Sequence, residues 1–296
     1  MPKNQNKTIL FWWIIAVFLI ACIAIIIIWG VNYYRQEQQR QAQVKPAVTQ
    51  PEQAQPELPA KPQIDRHYFY AGQPRPQPDY PYQVLVLTNK GYLVGYVEEK
   101  KAPVWVGYRL FRVNSLQAPK RPEQFVVDGR TRSRVASSFF TGSGYDRGHL
   151  APNFSIAICY GSAAQIQTFL MSNIIPQKPN LNRGIWNHLE QMEIRNYAQK
   201  LEEIWVLTGA TFEDNKHLAS GVNIPNACYK IIIDEQNKKP RILAFIIGQN
   251  IQGTENVTNF LTSVDMIEQR TGLDFLGDLP DDEENRLEAM TAGRLW

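Results

Sequence analysis

Tyr145-Asp146-Arg147-Gly148-His149-Leu150-Ala151-Pro152-Asn153 sets a carboxylate, a guanidinium and an imidazole within four consecutive residues, in a chain with only four histidines among 296 residues. A neutral imidazole takes a proton near pH 7 without unusual tuning. Arg147 offers a planar, permanently charged fork to phosphate oxygens. Gly148 allows a tight backbone path that brings the two side chains to one point. Taken alone, these residues serve equally well as a salt-bridged turn. A second polar group, Asn182-Arg183-Gly184, follows at a spacing suited to completing a metal-dependent phosphodiester site.

On a helix, Asn182, Trp186 and Glu190 occupy successive i,i+4 positions and share a broad face. Asn182 can donate a neutral carbonyl oxygen to Mg2+, and Glu190 can orient one of the waters that Mg2+ retains. The same spacing is satisfied by Asn182 as an N-cap and Glu190 in a surface ion pair. Both readings stay open on this helix alone. His188 lies beside Glu190 and suits a surface or core-edge position.

The elements that must position these residues are strands with a few helices. Gln83–Thr88 and Tyr92–Val97 read as a hairpin around Asn89-Lys90-Gly91. Val104–Leu110, Ile204–Thr208, Tyr229–Ile233 and Ile242–Ile247 supply further strands, with a turn at Lys238-Lys239-Pro240 between the last two. A helix led by Ser162 runs past Ile166 and Phe169. A stronger one spans Ile185 to Leu201, with Trp186, Leu189, Ile194 and Tyr197 on one face. Thr262-Ser263 and Asp265 open a short helix ending near Gly272. Asp281-Asp282-Glu283-Glu284 reads as a solvent-facing helix start in surroundings wrong for a calcium loop. No glycine-rich nucleotide fingerprint, zincin histidine pair or serine elbow is present. The expected fold is α+β, an antiparallel sheet core with packed helices.

Ahead of this part, Ile9–Trp29 is an uncharged apolar run of 21 residues. As a helix it would extend roughly 30 Å, about the thickness of a bilayer's hydrocarbon core. Trp29, Tyr33 and Tyr34 suit an interfacial collar. The expected organisation is a tail over 1–7, one transmembrane helix and signal-anchor over 8–32, a Pro/Gln-rich tether over 33–63 and a catalytic domain over 64–296. The membrane is then a partner through the N-terminal helix, and the chain a single-pass protein with its large part exported. Flanking charges, Lys3 and Lys7 against Arg35 and Arg40, are nearly balanced, and a mitochondrial inner-membrane placement is the weaker alternative. A formal charge of +3 is too small to imply nucleic-acid binding. The local clusters Lys120-Arg121, Arg130-Thr131-Arg132 and Arg134 could form a phosphate track or a solvated basic surface. Cys159 and Cys228 cannot make a cysteine-rich metal centre, and their spacing does not decide a disulfide.

With these residues in view, the chain from about Ile64 to Ala289 resembles the DNA/RNA non-specific endonucleases of the ββα-metal superfamily, the group of mitochondrial endonuclease G and bacterial sugar-nonspecific nucleases. The resemblance rests on Trp105-Val106-Gly107-Tyr108-Arg109, Asp146-Arg147-Gly148-His149, Ser172-Asn173 with Pro176-Gln177, and Leu181–Trp186 with Glu190. Val264-Asp265, Thr271–Phe275 and Asn285–Ala289 add to it. It implies a ββα-metal motif, with His149 as general base and Asn182 as the direct ligand of Mg2+, for which Mn2+ or another divalent cation can substitute. It further implies that Glu190 supports the hydration shell, Arg147 contacts phosphate, Asn173 braces the site and Asp146 is structural, with a charge that can also orient Arg147. Arg121 is an additional phosphate contact whose register is not sharply set. The implied partners are DNA and RNA, cleaved to leave 5′-phosphate ends. Homodimers occur among such nucleases, although no segment here specifies one. A catalytically inactive nucleic-acid-binding module, or a phosphodiesterase acting on a small or lipid-linked substrate, would share much of this pattern.

Overall fold

Runs such as Ile231-Ile232-Ile233 contain no polar alternation, and a strand of this kind needs cover on both faces. The computed structural model supplies it, describing residues 27–33, 35–36, 67–237 and 239–296. The chain divides into two units, Met1–Lys61 and Pro62–Trp296. In the second unit the strands β1 (Arg75–Pro76), β2 (Leu85–Asn89), β3 (Tyr92–Val97), β4 (Ala102–Phe111) and β5 (Asp146–His149) come first. Helices α1 (Asn153–Tyr160) and α2 (Ser162–Gln167) and strand β6 (Ile174–Gln177) follow. A composite helix, α3, then runs as four consecutive segments, Leu181–Trp186, Asn187–Met192, Glu193–Tyr197 and Ala198–Leu201. Strands β7 (Glu203–Thr211), β8 (Ala227–Gln236), β9 (Lys239–Gly248) and β10 (Leu261–Thr262) precede α4 (Val264–Thr271), β11 (Leu273–Asp274) and α5 (Asp281–Glu288).

Seven strands form one antiparallel sheet in the order β10-β9-β8-β7-β4-β3-β2. Successive side chains of its central strands point to opposite faces. Val206, Ile232 and Phe245 pack with Trp186, Leu189, Ile194 and Tyr197 of α3. Trp205, Ile231 and Ile233 pack on the other side with Val264, Ile267, Phe275 and Leu287. Each such fully buried aliphatic side chain contributes about 1.5–3 kcal/mol. The result is the expected α+β architecture, a sheet between two helical layers.

β5 and β6 pair separately, with His149 opposite Ile174 and Asp146 opposite Gln177, and α3 follows directly. This is a ββα arrangement whose two strands are separated in sequence by α1 and α2. The sequence pattern misses α1 because Asn153–Tyr160 carries no clear polar stripe. Ser263 caps α4 by accepting from the Met266 amide at 3.2 Å, and Gly272 ends it in the left-handed region at φ 69°. Cys159 and Cys228 are both free thiols.

The membrane expectation is corrected. Among the described residues, no helix is long and apolar enough to cross a membrane. Residues 27–33 are helical. Nothing among the described residues supplies the spanning element that the transmembrane helix and signal-anchor over 8–32, the membrane as partner, and the single-pass exported or inner-membrane placement require. Residues 8–26, the tail 1–7 and nearly all of the tether over 33–63 lie outside the described residues.

Candidate active site

His149 ends β5 with its ring against Phe125 and Phe169, at centroid separations of 5.4 and 5.1 Å. Its backbone carbonyl accepts from Trp186 Nε1 at 3.3 Å, tying the strand to α3. His149 is 9% exposed, and its Nε2 has no hydrogen-bond partner among the described residues. Burial, and secondarily the Arg121 guanidinium, lowers its pKa to about 3. The ring is therefore neutral across the physiological range, the form that takes a proton.

An open cavity of about 420 Å³ lies before it, lined by Arg121, Arg147, His149, Asn182, Arg183 and Glu190, together with Asn153, Phe154, Asn187, Gln191 and Arg195. Three stretches distant in sequence, at 121, 147–154 and 182–195, meet there. Arg147 reaches it with Nε and Nη2 held by the Ser137 carbonyl at 3.0 and 2.6 Å and Nη2 near Thr141 Oγ1 at 3.3 Å. Arg121 lies over the Phe169 ring at 5.1 Å.

Asp146 does not hold Arg147. Its Oδ2 accepts from Asn182 Nδ2 at 3.0 Å, and its two oxygens accept from Arg183 Nη2 and Nε at 2.6 and 2.8 Å. Burial would raise the Asp146 pKa, but these donors outweigh it and hold the carboxyl below its ordinary value. With the Asn182 amide nitrogen committed to Asp146, its carbonyl oxygen is the end left for the cavity. That is the donor a hard divalent cation uses.

Glu190 faces the same cavity. Its carboxyl is pushed up to about 8, chiefly by burial and further by Glu193, with Lys230 acting against them. Glu190 and Asn182 line one cavity, where a carboxyl oxygen and a neutral carbonyl oxygen are donors that fit a hard cation. Lys230 is itself fully buried, paired with Glu193 at 2.7 Å, while Tyr108 donates to Glu193 at 2.7 Å.

Asn173 is the brace between the two strands and the turn after them. It accepts from the Ala151 amide at 2.8 Å and donates to the Ala151 and Thr168 carbonyls at 3.0 Å each. Its own carbonyl accepts from the Leu150 amide at 3.1 Å. Gly148 is required by close approach, since a Cβ there would sit 2.0 Å from Gln177 Oε1.

The helical spacing argument is replaced by a kink. Gly184 has φ −94° and ψ −108°, so Asn182 and Glu190 do not belong to one regular helix. A Cβ at Gly184 would meet the Gly253 carbonyl oxygen at 2.5 Å, which explains the residue. Trp186, expected on the same face, is buried in the core instead. Of the basic clusters, Arg121 lines the cavity. Arg130 is tied to Asp128 at 2.6 and 2.9 Å, the Thr88 carbonyl and Asn89, so it is a structural cation. His188 is exposed and does not line the cavity. Gln191 and Arg195, joined by a hydrogen bond of 2.6 Å from Arg195 Nε to Gln191 Oε1, also line the cavity, and no motif in the sequence singles them out.

A group of acidic side chains able to hold a divalent cation lies elsewhere, formed by Asp265, Glu268 and Glu288 and by Asp274, Glu284 and Glu288. Its helices pack on the opposite face of the large sheet from α3.

Residues 72–282 match the DNA/RNA non-specific endonuclease family, to which the chain belongs. A nuclease of Nostoc sp. is 28% identical over 221 residues, 71% of this chain and 79% of that one. The human mitochondrial nuclease EXOG is 28% identical over 208 residues, 64% of this chain but 56% of its own length. In a crystal structure of the EndoG/EndoGI complex, describing inhibition of EndoG, one chain shares the fold with a TM-score of 0.59 at 22% identity, over 69% of this chain and 90% of that chain.

Proposed function

We propose that this chain is a divalent-metal-dependent endonuclease that hydrolyses phosphodiester bonds in both DNA and RNA, leaving 5′-phosphate ends. The observation that carries the reading is the open cavity that brings together Asn182, Glu190, Arg147, Arg121 and His149, whose Nε2 has no hydrogen-bond partner among the described residues. His149 is the general base, accepting a proton from the attacking water. Its burial makes the imidazolium costly, so protonation is coupled to the arrival of an anionic phosphate that offsets Arg121. Arg147 and Arg121 contact the phosphate oxygens and neutralise charge that develops on them. Asn182 is the direct ligand of Mg2+ or Mn2+, and Glu190 orients the ion's water shell. When bound, the cation supplies neutralisation of the leaving 3′ oxygen. Asp146 sets the Asn182 amide, and Asn173 keeps β5, β6 and the Ala151 turn in register.

Family membership and the polar, basic lining favour a polymeric phosphodiester over a lipid-linked one. Contacts directed at phosphate carry little base or sugar information, which accounts for action on both nucleic acids. The test is cleavage of supercoiled DNA and single-stranded RNA by the purified chain, with Mg2+ and with EDTA. Cleavage of both that EDTA abolishes, and that Asn182→Ala and His149→Ala suppress, is expected. Binding without cleavage in Mg2+ and in Mn2+ would instead assign a non-catalytic binding module.

A further inference from the structure

The acidic side chains of α4, β11 and α5 converge on Glu288. Asp265, Glu268 and Glu288 each bring one carboxylate oxygen within 4.8 Å of the others, and so do Asp274, Glu284 and Glu288. Acidic clusters are common on protein surfaces without an ion, so the grouping decides nothing by itself. Glu288 supplies the independent observation. It is only 5% exposed, and its Oε1 is buried with no hydrogen-bond partner among the described residues. A buried carboxylate oxygen is ordinarily satisfied by a donor, a water or an ion.

The surrounding charge points the same way. Burial first, and then Glu268, Glu284, Asp274 and Asp265, push the Glu288 carboxyl up to about 9. Glu268 rises to about 7, chiefly by burial and further by Asp274 and Asp265, against the Phe275 amide it accepts from and its hydrogen bond with Glu288. The basic groups of these elements make their direct contacts outside the cluster, although the charge of Arg75 reaches Glu284. Arg75 binds the Gly277 carbonyl and Asp278, Arg270 binds Glu213, and Arg286 turns to Met290 Sδ. Calcium takes about six to eight oxygen ligands, carboxylates among them, whereas magnesium keeps several waters and takes one or two carboxylates. Several carboxylates in one cluster suit the larger ion.

We propose that Glu288, with Asp265, Glu268, Asp274 and Glu284, forms a calcium-class cation site that clamps α4, β11 and α5 together, separate from the cavity at His149. The site joins elements that otherwise meet through the apolar contacts of Val264, Ile267, Phe275 and Leu287. It does not rest on the nuclease reading.

The test uses the full chain, stripped with EDTA and dialysed, in wild-type and Asn182→Ala forms. Calorimetric titration and thermal melting are followed with CaCl2 and with MgCl2. Calcium should bind and raise Tm in both forms, more strongly than magnesium, and Glu288→Gln should weaken calcium binding at least tenfold. Should Glu288→Gln not fold, Asp265→Asn and Glu284→Gln, which lie nearer the surface, should each weaken it at least threefold. Absence of calcium binding, or affinity unchanged in the variants, overturns the proposal. A chelated Glu288→Gln protein that melts higher than wild type and ignores calcium would instead reveal a carboxyl pair sharing a proton.

Discussion

Replacing Asp146 with Ala tests the proposed metal position without touching the ligand itself. Asp146 accepts from Asn182 Nδ2 at 3.0 Å and from two nitrogens of Arg183 at 2.6 and 2.8 Å. The Arg183 side chain is 71% exposed, so solvent screens that pair and it adds little to the effect. The bond that matters is the one fixing the Asn182 amide. A hydrogen bond to a charged group contributes about 1.5–3 kcal/mol, and the low end applies at this half-buried position. At about 1.4 kcal/mol per tenfold, loss of that orientation predicts a rise of roughly 10–30-fold in the Mg2+ concentration for half-maximal cleavage, within the 10–100-fold range typical of groups that orient metal ligands. Asp146→Asn keeps one acceptor and should give only about a threefold rise by the same reasoning. Initial rates of plasmid cleavage across a Mg2+ titration, with circular dichroism to establish folding, supply the measurement. A folded Asp146→Ala protein whose half-maximal Mg2+ concentration stays within about twofold of wild type refutes the assignment of Asn182 as the oriented ligand.

His149→Ala should lower the cleavage rate by at least about 10²-fold, the lower bound for a positioned general base, while DNA retention in a filter-binding assay persists; equal losses in both would make the residue a folding element. The same residue has a pH signature. Its folded pKa, near 3, lies below the ordinary 6.5, so the unfolded chain binds the extra proton in between and wild-type stability falls as pH drops through that window. Urea titrations without metal from pH 7 to pH 4 should show a difference between wild type and His149→Ala that changes by up to about 1.4 kcal/mol per pH unit; a pH-independent difference contradicts the buried neutral ring. Lys230→Met leaves the fully buried Glu193 carboxylate without its cation and should cost about 3–5 kcal/mol, with partial recovery on adding Glu193→Gln. Denaturation midpoints check this, and a loss under about 1 kcal/mol would show the pair to be dispensable. Asn173→Ala removes three buried hydrogen bonds and should reduce stability by about 1–3 kcal/mol with a fall in activity; full stability with full activity argues against its bracing role.

The strands of the sheet were legible because Val84–Thr88, Ile204–Thr208 and Ile231–Ile233 are dense in residues that fit a pleated surface. The cap and stop of α4 were legible for an equally local reason, at Ser263 and Gly272. The long apolar run at Ile9–Trp29 shows the opposite case: hydropathy alone suggested a bilayer span, and no described helix provides one. The pairing of Asp146 with Arg183 rather than Arg147 was not readable, because adjacent residues of a strand point to opposite sides and the partner comes from another element. Arg121 and Arg130 look alike in sequence, yet one lines the cavity while the other is bonded to Asp128, Thr88 and Asn89.

By itself, the sequence determined which chemical groups are available: one histidine beside an arginine, an asparagine ahead of a helix, and an acid further along it. Their types and order suffice for that, since side-chain chemistry is carried by each residue independently. Tertiary structure decided everything about their state. Phe125 and Phe169 strip water from His149, the Gly184–Gly253 contact breaks the helix so that Asn182 turns to the cavity, and Glu193 with Lys230 sets the field around Glu190. Desolvation and through-space charge depend on neighbours brought from distant positions, and those distances exist only once the sheet has folded.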